Sequence, residues 1–207
     1  MRRTTRPCLL AIWLLFGAAS ISPGLATAAT PATAPAGADD ADSCAQASGD
    51  AAIAACTGAI ASGNYRGHTL EKLYHDRAVE YYNKGDNDRA IAEYDEAIRL
   101  DPNHAAALNN RGNAWQAKGD NDRAIADFDE AIRLTPREPF PLYNRGNAWR
   151  AKGDNDRAIA DYDQAIRLNP KYAAPYYNRG TAWNAKGDLV RAIADYIEAF
   201  RLEWYGR

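Results

Sequence analysis

The chain has 207 residues, of which 46% are hydrophobic and 25% charged, and this composition argues against a disordered or fibrous protein. The formal net charge is −2, and it becomes about −5 once the three arginines of the N-terminal segment are removed. Because no cluster of Lys and Arg is present to neutralise phosphates, we do not expect nucleic acid as a partner.

The N-terminal segment predicts a secretory signal peptide over residues 1–28. It begins with basic residues, continues with an apolar run and ends with Ala26-Thr27-Ala28, an A-x-A cleavage pattern. An uncleaved anchor is the alternative, but the run has only about 14 residues and a bilayer span needs roughly 20. We therefore expect no membrane span in the mature chain and a periplasmic or secreted location. Residues 29–41, nearly all Ala, Pro, Thr and Gly, are expected to form an unfolded tether.

Two cysteines remain after cleavage, Cys44 and Cys56, and disulfides persist outside the cytoplasm. The turn signal Ser48-Gly49-Asp50 lies between them and allows the flanking segments to fold back. We predict a disulfide; a pair of inert buried thiols is the alternative.

A 34-residue period dominates the sequence after about residue 70. Within each period, apolar residues recur at helical spacing on both sides of a Lys-Gly-Asp turn, so each unit is predicted to be a helical hairpin. The glycine ends the first helix, the following Asp or Asn caps the second, and a proline closes the unit. A single hairpin cannot bury both apolar faces, so its stability must come from stacking. The periodic residues are Gly85, Gly119, Gly153 and Gly187; Tyr81, Trp115, Trp149 and Trp183; Ala90, Ala124, Ala158 and Ala192; and Tyr94, Phe128, Tyr162 and Tyr196.

These positions resemble the tetratricopeptide-repeat (TPR) family over residues 71–206. The resemblance implies an all-α solenoid in a right-handed superhelix, with the first helix of each hairpin on the inner surface. It also implies a scaffold that binds other proteins or peptides and has neither catalytic activity nor a cofactor. The predicted units are a degenerate N-terminal repeat at 42–70 and full repeats at 71–104, 105–138, 139–172 and 173–207.

One departure from the family concerns an arginine in each first helix, where the family usually has leucine. A semi-buried arginine needs an anion, and an aspartate recurs 16 residues later in three of the units. We predict an Arg–Asp pair inside each hairpin. The arginines are Arg77, Arg111, Arg145 and Arg179, and the aspartates are Asp127, Asp161 and Asp195.

Two rows of mostly asparagine are predicted on the inner surface. A carboxamide has both donor and acceptor groups, so a ladder of them can pair with successive peptide groups of an extended ligand. Alternatively, the asparagines satisfy local groups or face solvent and were copied by repeat duplication. The predicted groove residues are Asn110, Asn144 and Asn178, then Asn113, Asn147 and Thr181, with Tyr143 and Tyr177 for apolar contacts.

Other polar residues are expected to be structural. The histidines His68, His75 and His104 are dispersed along the sequence without metal-ligand spacing, so we expect no metal site. Paired carboxylates are expected to bind arginines four residues away on the helix surface. These predicted surface pairs are Arg123 with Asp127 and Asp129 with Arg133.

The last unit is apolar where its predecessor is polar, since Leu189, Val190 and Ile197 replace Asn, Asp and Asp. The chain ends at residues 204–207 without an obvious polar cap. Either this tail folds back over the apolar face, or the face is an interface with a second copy or another protein. A structural or assembly protein that self-associates through this face is the alternative function.

Overall fold

The computed structural model describes residues 38–205, with side chains from 41 to 204. In this part of the chain all regular structure is α-helical, and consecutive helices pack against each other as hairpins. The predicted all-α solenoid is confirmed. The helices are α1 (Ala38–Gln46), α2 (Gly49–Ala61), α3 (Gly67–Asn83), α4 (Asn87–Leu100), α5 (Ala105–Ala117), α6 (Asn121–Leu134), α7 (Pro139–Ala151), α8 (Asn155–Leu168), α9 (Ala173–Ala185) and α10 (Leu189–Tyr205).

The predicted signal peptide at 1–28 and most of the predicted tether at 29–41 lie outside the described residues. Helix α1 begins at Ala38, so the last four residues assigned to the tether are helical. The disulfide ties α1 to α2, which explains how so short a helix is held in place. Between residues 38 and 205, no helix is both long and apolar enough to cross a membrane.

The turn of each full hairpin is formed by the same two residue types, a glycine followed by an aspartate. Gly119 has φ +82°, a left-handed conformation that ends α5, and Asp120 then caps α6 by accepting the backbone N–H of Arg123 at 3.0 Å. The predicted roles of the glycine and the cap are confirmed. The same pair recurs as Gly85 with Asp86, Gly153 with Asp154 and Gly187 with Asp188.

The core of each hairpin is an aromatic ring against a small residue. Phe128, which is fully buried, packs on Gly112, where a Cβ would lie 2.6 Å from its Cε1. Tyr162 lies on Gly146 in the same way, at 2.7 Å. The close approach of the paired helices therefore requires a very small residue on the first helix.

The helices divide into an inner and an outer set. In the described region α3, α5, α7 and α9 contact each other across repeats, whereas α4, α6, α8 and α10 contact only inner helices. A stack whose first helices touch and whose second helices spread apart is curved, with the first set on its concave side. We call α3, α5, α7 and α9 the inner helices and the other four the outer helices.

The N-terminal unit is a cap of two short helices. Cys44 and Cys56 form the predicted disulfide, with Cα atoms 4.7 Å apart and both residues buried. Helix α2 packs on α3 as an outer helix packs on the next inner helix. The segment therefore packs on α3 as a two-helix unit, and its assignment as a degenerate repeat stays a prediction.

Candidate functional site

One arginine of each inner helix, at the same position of the 34-residue period, lies between two repeats. Arg145 donates to both carboxylate oxygens of Asp161 in its own hairpin, at 2.9 and 2.6 Å, and to Asp129 of the preceding hairpin at 2.6 Å. The predicted pair is confirmed, and the second carboxylate joins the repeat to its predecessor. The corresponding acceptors are Asp127 and Asp95 for Arg111, Asp195 and Asp163 for Arg179, and Glu93 and Thr57 for Arg77.

The predicted surface pairs are wrong, because Asp127 and Asp129 are both occupied by arginines of inner helices. Asp127 is 7% exposed and faces Arg111 across its own hairpin, and Asp129 faces the next repeat. The outer-helix arginines bind carboxylates three residues away instead. The partners are Asp120 for Arg123 and Glu130 for Arg133.

A lysine in each turn makes a second link in the same direction. Lys152 pairs with Asp122 at the start of the preceding outer helix. Every junction between full repeats therefore combines two cations from the following unit with carboxylates from the preceding one. The other pairs are Lys84 with Asp50, Lys118 with Asp88 and Lys186 with Asp156.

Burial governs the electrostatics of the central pair. It raises the pKa of the Asp161 carboxyl, an effect that Arg145 opposes only in part. The hydrogen bonds to Asp161 raise the pKa of Arg145, so the guanidinium stays charged. Such a pair adds little net stability, because the desolvation of the two charges offsets much of their attraction.

The first asparagine row lies where the inner helices meet. Asn144 donates to Asn109 of the preceding inner helix at 2.9 Å, and Asn178 donates to the Tyr143 hydroxyl at 3.0 Å and to the Asn147 carbonyl at 2.8 Å. The Asn110 amide lies 3.3 Å from His75 Nε2. Part of the hydrogen-bonding capacity of this row therefore joins one repeat to the next.

The residues of the second row differ in their hydrogen-bond partners. Asn147 also accepts from the Tyr162 hydroxyl at 2.8 Å, and Thr181 donates to a carbonyl of its own helix at 3.1 Å. Asn113 is half-buried and has no hydrogen bond to any residue that the structure describes. Phe128 stands where the later repeat has Tyr162, so the hydroxyl that would bind Asn113 is absent.

Aromatic side chains flank these rows. The rings of Phe140 and Tyr143 each lie against Tyr172, with centroids 5.3 and 5.2 Å apart, and burial raises the pKa of Tyr172 to about 12. Phe140 is 52% exposed and Tyr177 59% exposed. A mainly apolar cleft of about 260 Å³ lies beside Phe140, between the N-terminal ends of α5 and α7. The sequence predicts Tyr143 and Tyr177, but it does not predict the cleft.

The three histidines are not dispersed in space. Glu71, which is 1% exposed, contacts His104 and lies 3.2 Å from His68, and the rings of His75 and His104 are 4.9 Å apart. Among residues 41–204, no group of three or more His, Cys, Asp or Glu side chains is arranged to hold a metal ion. The cluster supplies partners for a buried carboxylate at the junction of α3 and α5.

Comparison with known sequences identifies the repeats. A family model described as "Tetratricopeptide repeat" matches residues 75–139, and one described as "TPR repeat" matches residues 146–183. The chain is a tetratricopeptide-repeat protein. No curated protein sequence matches it. TPR units are known as scaffolds for protein–protein interaction, and the chain has this architecture.

Solved structures agree with the TPR fold. "Crystal structure of MamA" has a TM-score of 0.67 and 23% identity, over 74% of this chain and 88% of that one. "MamA 41-end from Desulfovibrio magneticus RS-1" has a TM-score of 0.67 and 18% identity, over 73% and 84%. At this identity the likeness shows the fold alone.

The last TPR unit exposes a continuous apolar surface. Leu189, Val190 and Ile197 are 59, 81 and 63% exposed. Helix α10 continues to Tyr205 and Trp204 is 70% exposed, so over this length the tail does not fold back. That this face is an interface stays a prediction.

Proposed function

We propose that this TPR protein is a non-catalytic scaffold that binds an extended polypeptide along its inner helices. The proposal rests on a line of carboxamide groups whose hydrogen-bonding atoms are not all used within the described residues. Within the described residues, the whole amide of Asn113 and the side-chain carbonyls of Asn144 and Asn178 have no hydrogen-bond partner. A peptide backbone supplies the complementary donors and acceptors.

The spacing of the inner helices suits an extended chain. Packed helices lie about 8–10 Å apart, and an extended peptide advances about 3.3 Å per residue. Each repeat would then take about three residues, and four inner helices about nine to twelve residues. Because backbone groups are alike in every sequence, the asparagines would bind without selecting particular side chains.

Selectivity would come from the aromatic side of the groove. Phe140 and the apolar cleft beside it lie close to Asn109, which holds Asn144. A large apolar side chain of the ligand would bury its surface there while its backbone follows the asparagine row. The preferred ligand is therefore an extended peptide with one aromatic or long aliphatic residue.

We further propose that binding takes place in the cell envelope or outside the cell. The disulfide supports this location, because such bonds persist in oxidising compartments. The predicted cleavage pattern at Ala26–Ala28 supports it from the sequence. Expression of the full-length sequence with and without residues 1–28, followed by fractionation and mass spectrometry of the N-terminus, tests it. A full-length product that stays in the cytoplasm with an intact N-terminus would contradict export.

Peptide selection tests the groove. A displayed library of random twelve-residue peptides is selected on the purified protein, and the dissociation constants of the enriched peptides are measured by fluorescence anisotropy. Replacing Asn113, Asn144 and Asn178 together by alanine should weaken binding at least about tenfold, since each lost hydrogen bond contributes about 1 kcal/mol. Phe140→Ala should weaken mainly the binding of those peptides that contain a large apolar residue.

A matched control uses the same residue type at the same period on the outer helices. Asn87, Asn121 and Asn155 each begin an outer helix at the turns. Their triple alanine variant should bind within about twofold of wild type, because it leaves the line of inner-helix amides intact. Circular dichroism must show both variants folded. Equal binding by the groove variant and wild type would refute the proposed site.

A further inference from the structure

Helix α10 carries an unpartnered apolar stripe, which we call the C-terminal face. Its six residues fall within an arc of about 100° on a helix of 3.6 residues per turn, and each is between 56 and 81% exposed. In the described region α9 is the only helix that contacts α10. The residues are Leu189, Val190, Ile193, Ile197, Phe200 and Trp204.

The same arc is an internal surface in the earlier repeats. Ile159 in α8 is 6% exposed because α9 covers it, whereas the equivalent Ile193 is 57% exposed. Each earlier outer helix also carries two carboxylates that receive cations from the next repeat, Asp156 and Asp163 in α8. In α10 these positions are Val190 and Ile197. The last repeat has therefore lost the groups that would hold another repeat and has gained apolar surface in their place.

The opposite end of the solenoid does not match this surface. The cations that a following repeat would offer are already bound there, since Lys84 pairs with Asp50 and Arg77 donates to Thr57, both of α2. The outer part of the cap is polar or small, with Asp42 and Gln46 exposed. If chains stacked head to tail, the apolar stripe would lie against this polar surface. The polar groups would then lose water without gaining hydrogen-bond partners, which is costly.

We infer that the C-terminal face pairs with the same face of a second copy, as an antiparallel two-fold dimer. A two-fold dimer uses the same surface patch on both copies, so that patch must be complementary to itself. An apolar stripe without charges meets this condition. The four-residue connections between outer and inner helices make successive helices antiparallel, so this arc already accepts an antiparallel helix in every earlier repeat. Six large apolar side chains, each more than half exposed, are of the order of the roughly 800 Å² per partner that a standard interface buries.

The dimer is independent of peptide binding. The stripe lies on an outer helix, and none of its residues belongs to the asparagine rows or to the cleft beside Phe140. A dimer would present two grooves, so that a partner with two binding segments would be held more tightly than either segment alone. Failure of one proposal leaves the other unaffected.

The first experiment restores the polar residues of the preceding repeat. Val190→Asp and Ile197→Asp reproduce residues that α8 already carries, so the double variant keeps a hairpin sequence that folds in this chain. Protein expressed from the full-length sequence is analysed by sedimentation velocity between about 1 and 200 µM, because even the weakest interfaces of standard area dissociate in the micromolar range. Phe140→Asp, at a similarly exposed ring in the groove, is the matched control.

We expect wild type and the Phe140→Asp control to dimerise and the double variant to need at least about 100-fold higher concentration, because four carboxylates would enter the interface. Three results would overturn the inference. One is a monomeric wild type at 200 µM, which would mean that another segment or another protein covers the stripe. The others are a double variant that still dimerises, and assemblies that grow beyond two copies.

Cross-linking tests the symmetry in a Cys8→Ser background. Ile197 lies near the middle of the stripe, so two Ile197→Cys chains should form an intermolecular disulfide. Residues 189 and 204 are about 22 Å apart along the helix, so Leu189→Cys should cross-link with Trp204→Cys but not with itself. Self-cross-linking of Leu189→Cys would indicate parallel helices and contradict the antiparallel dimer.

Discussion

Replacing Arg145 by leucine tests how the repeats are held together. Leucine is the usual residue of the family here, yet in this chain it would remove three hydrogen bonds to Asp161 and Asp129. Asp161 is 6% exposed and would be left without its counter-ion. Breaking a buried pair in this way costs about 3–5 kcal/mol. We expect a loss near the lower end, about 3 kcal/mol, because water can reach the rim of the junction.

A double-mutant cycle separates two costs of this substitution, the free energy of leaving Asp161 buried without a partner and the loss of its attraction to Arg145. The free energy of unfolding is measured in urea by circular dichroism and tryptophan fluorescence. Arg145→Leu with Asp161→Leu should recover most of the loss, since apolar replacement of a whole buried pair is often neutral. Arg133→Leu, at an exposed arginine bound to Glu130, is the control and should change little. A cost below about 1 kcal/mol for Arg145→Leu, or a double variant less stable than the single, would refute the reasoning.

The pH dependence gives an independent check on the cause. Burial raises the pKa of Asp161, and Arg145 opposes that rise in wild type, so its removal should raise the pKa further. A carboxyl whose pKa is higher in the folded than in the unfolded state binds protons more tightly when folded. The stability gap between Arg145→Leu and wild type should therefore be largest and constant above the folded pKa of Asp161 in the variant. It should narrow as the pH falls from that pKa towards the unfolded value of 3.8.

Two further predictions follow from the hairpins. Gly146→Ala should destabilise the protein by about 1 kcal/mol, because overpacking a Cβ 2.7 Å from Tyr162 outweighs the gain in helix propensity; an increase in the urea midpoint would contradict this. The caps Asp120 and Asp154 have a lowered pKa, owing to hydrogen bonds from a backbone N–H and an arginine. Their stabilisation should be complete above the unfolded value of 3.8 and should disappear as the pH falls through the folded pKa. With Asp→Asn at both caps, the free energy of unfolding should fall less steeply as the pH drops below 3.8. An unchanged slope would show that other carboxyls cause the loss of stability.

The repeat pattern predicts the fold well because helix ends, turns and small–aromatic contacts are set within one hairpin. Gly119 and Asp120 act in the structure as their spacing indicates, and Arg145 finds Asp161 16 residues away. Such contacts depend only on the geometry of two joined helices. The degenerate N-terminal repeat at 42–70 stays a prediction, since its second helix lacks the aspartate cap and its first helix lacks the arginine of the later hairpins.

Contacts between repeats are harder to predict, since they depend on which face of a helix the next unit covers. Asp129 and Arg133 have ideal spacing for a surface pair, but Asp129 binds Arg145 of the following repeat. His75 and His104 are 29 residues apart, outside the 34-residue period, and the contact of their tilted rings depends on the packing of α3 on α5. The asparagine rows are correctly placed on inner helices, but sequence alone does not show that neighbouring repeats use part of their amides.

The direction of the inter-repeat contacts explains why the two ends of this solenoid differ. Each unit offers cations towards the N-terminus and carboxylates towards the C-terminus, so any terminal unit has unused partners on one side. At the N-terminus α2 supplies the missing acceptors, and the disulfide fixes α2 in place. At the C-terminus the acceptors themselves have been replaced by Val190 and Ile197, which leaves an apolar stripe exposed on α10. Since exposed apolar surface of this extent is costly, the dimer that we infer would account for the substitutions by covering α10.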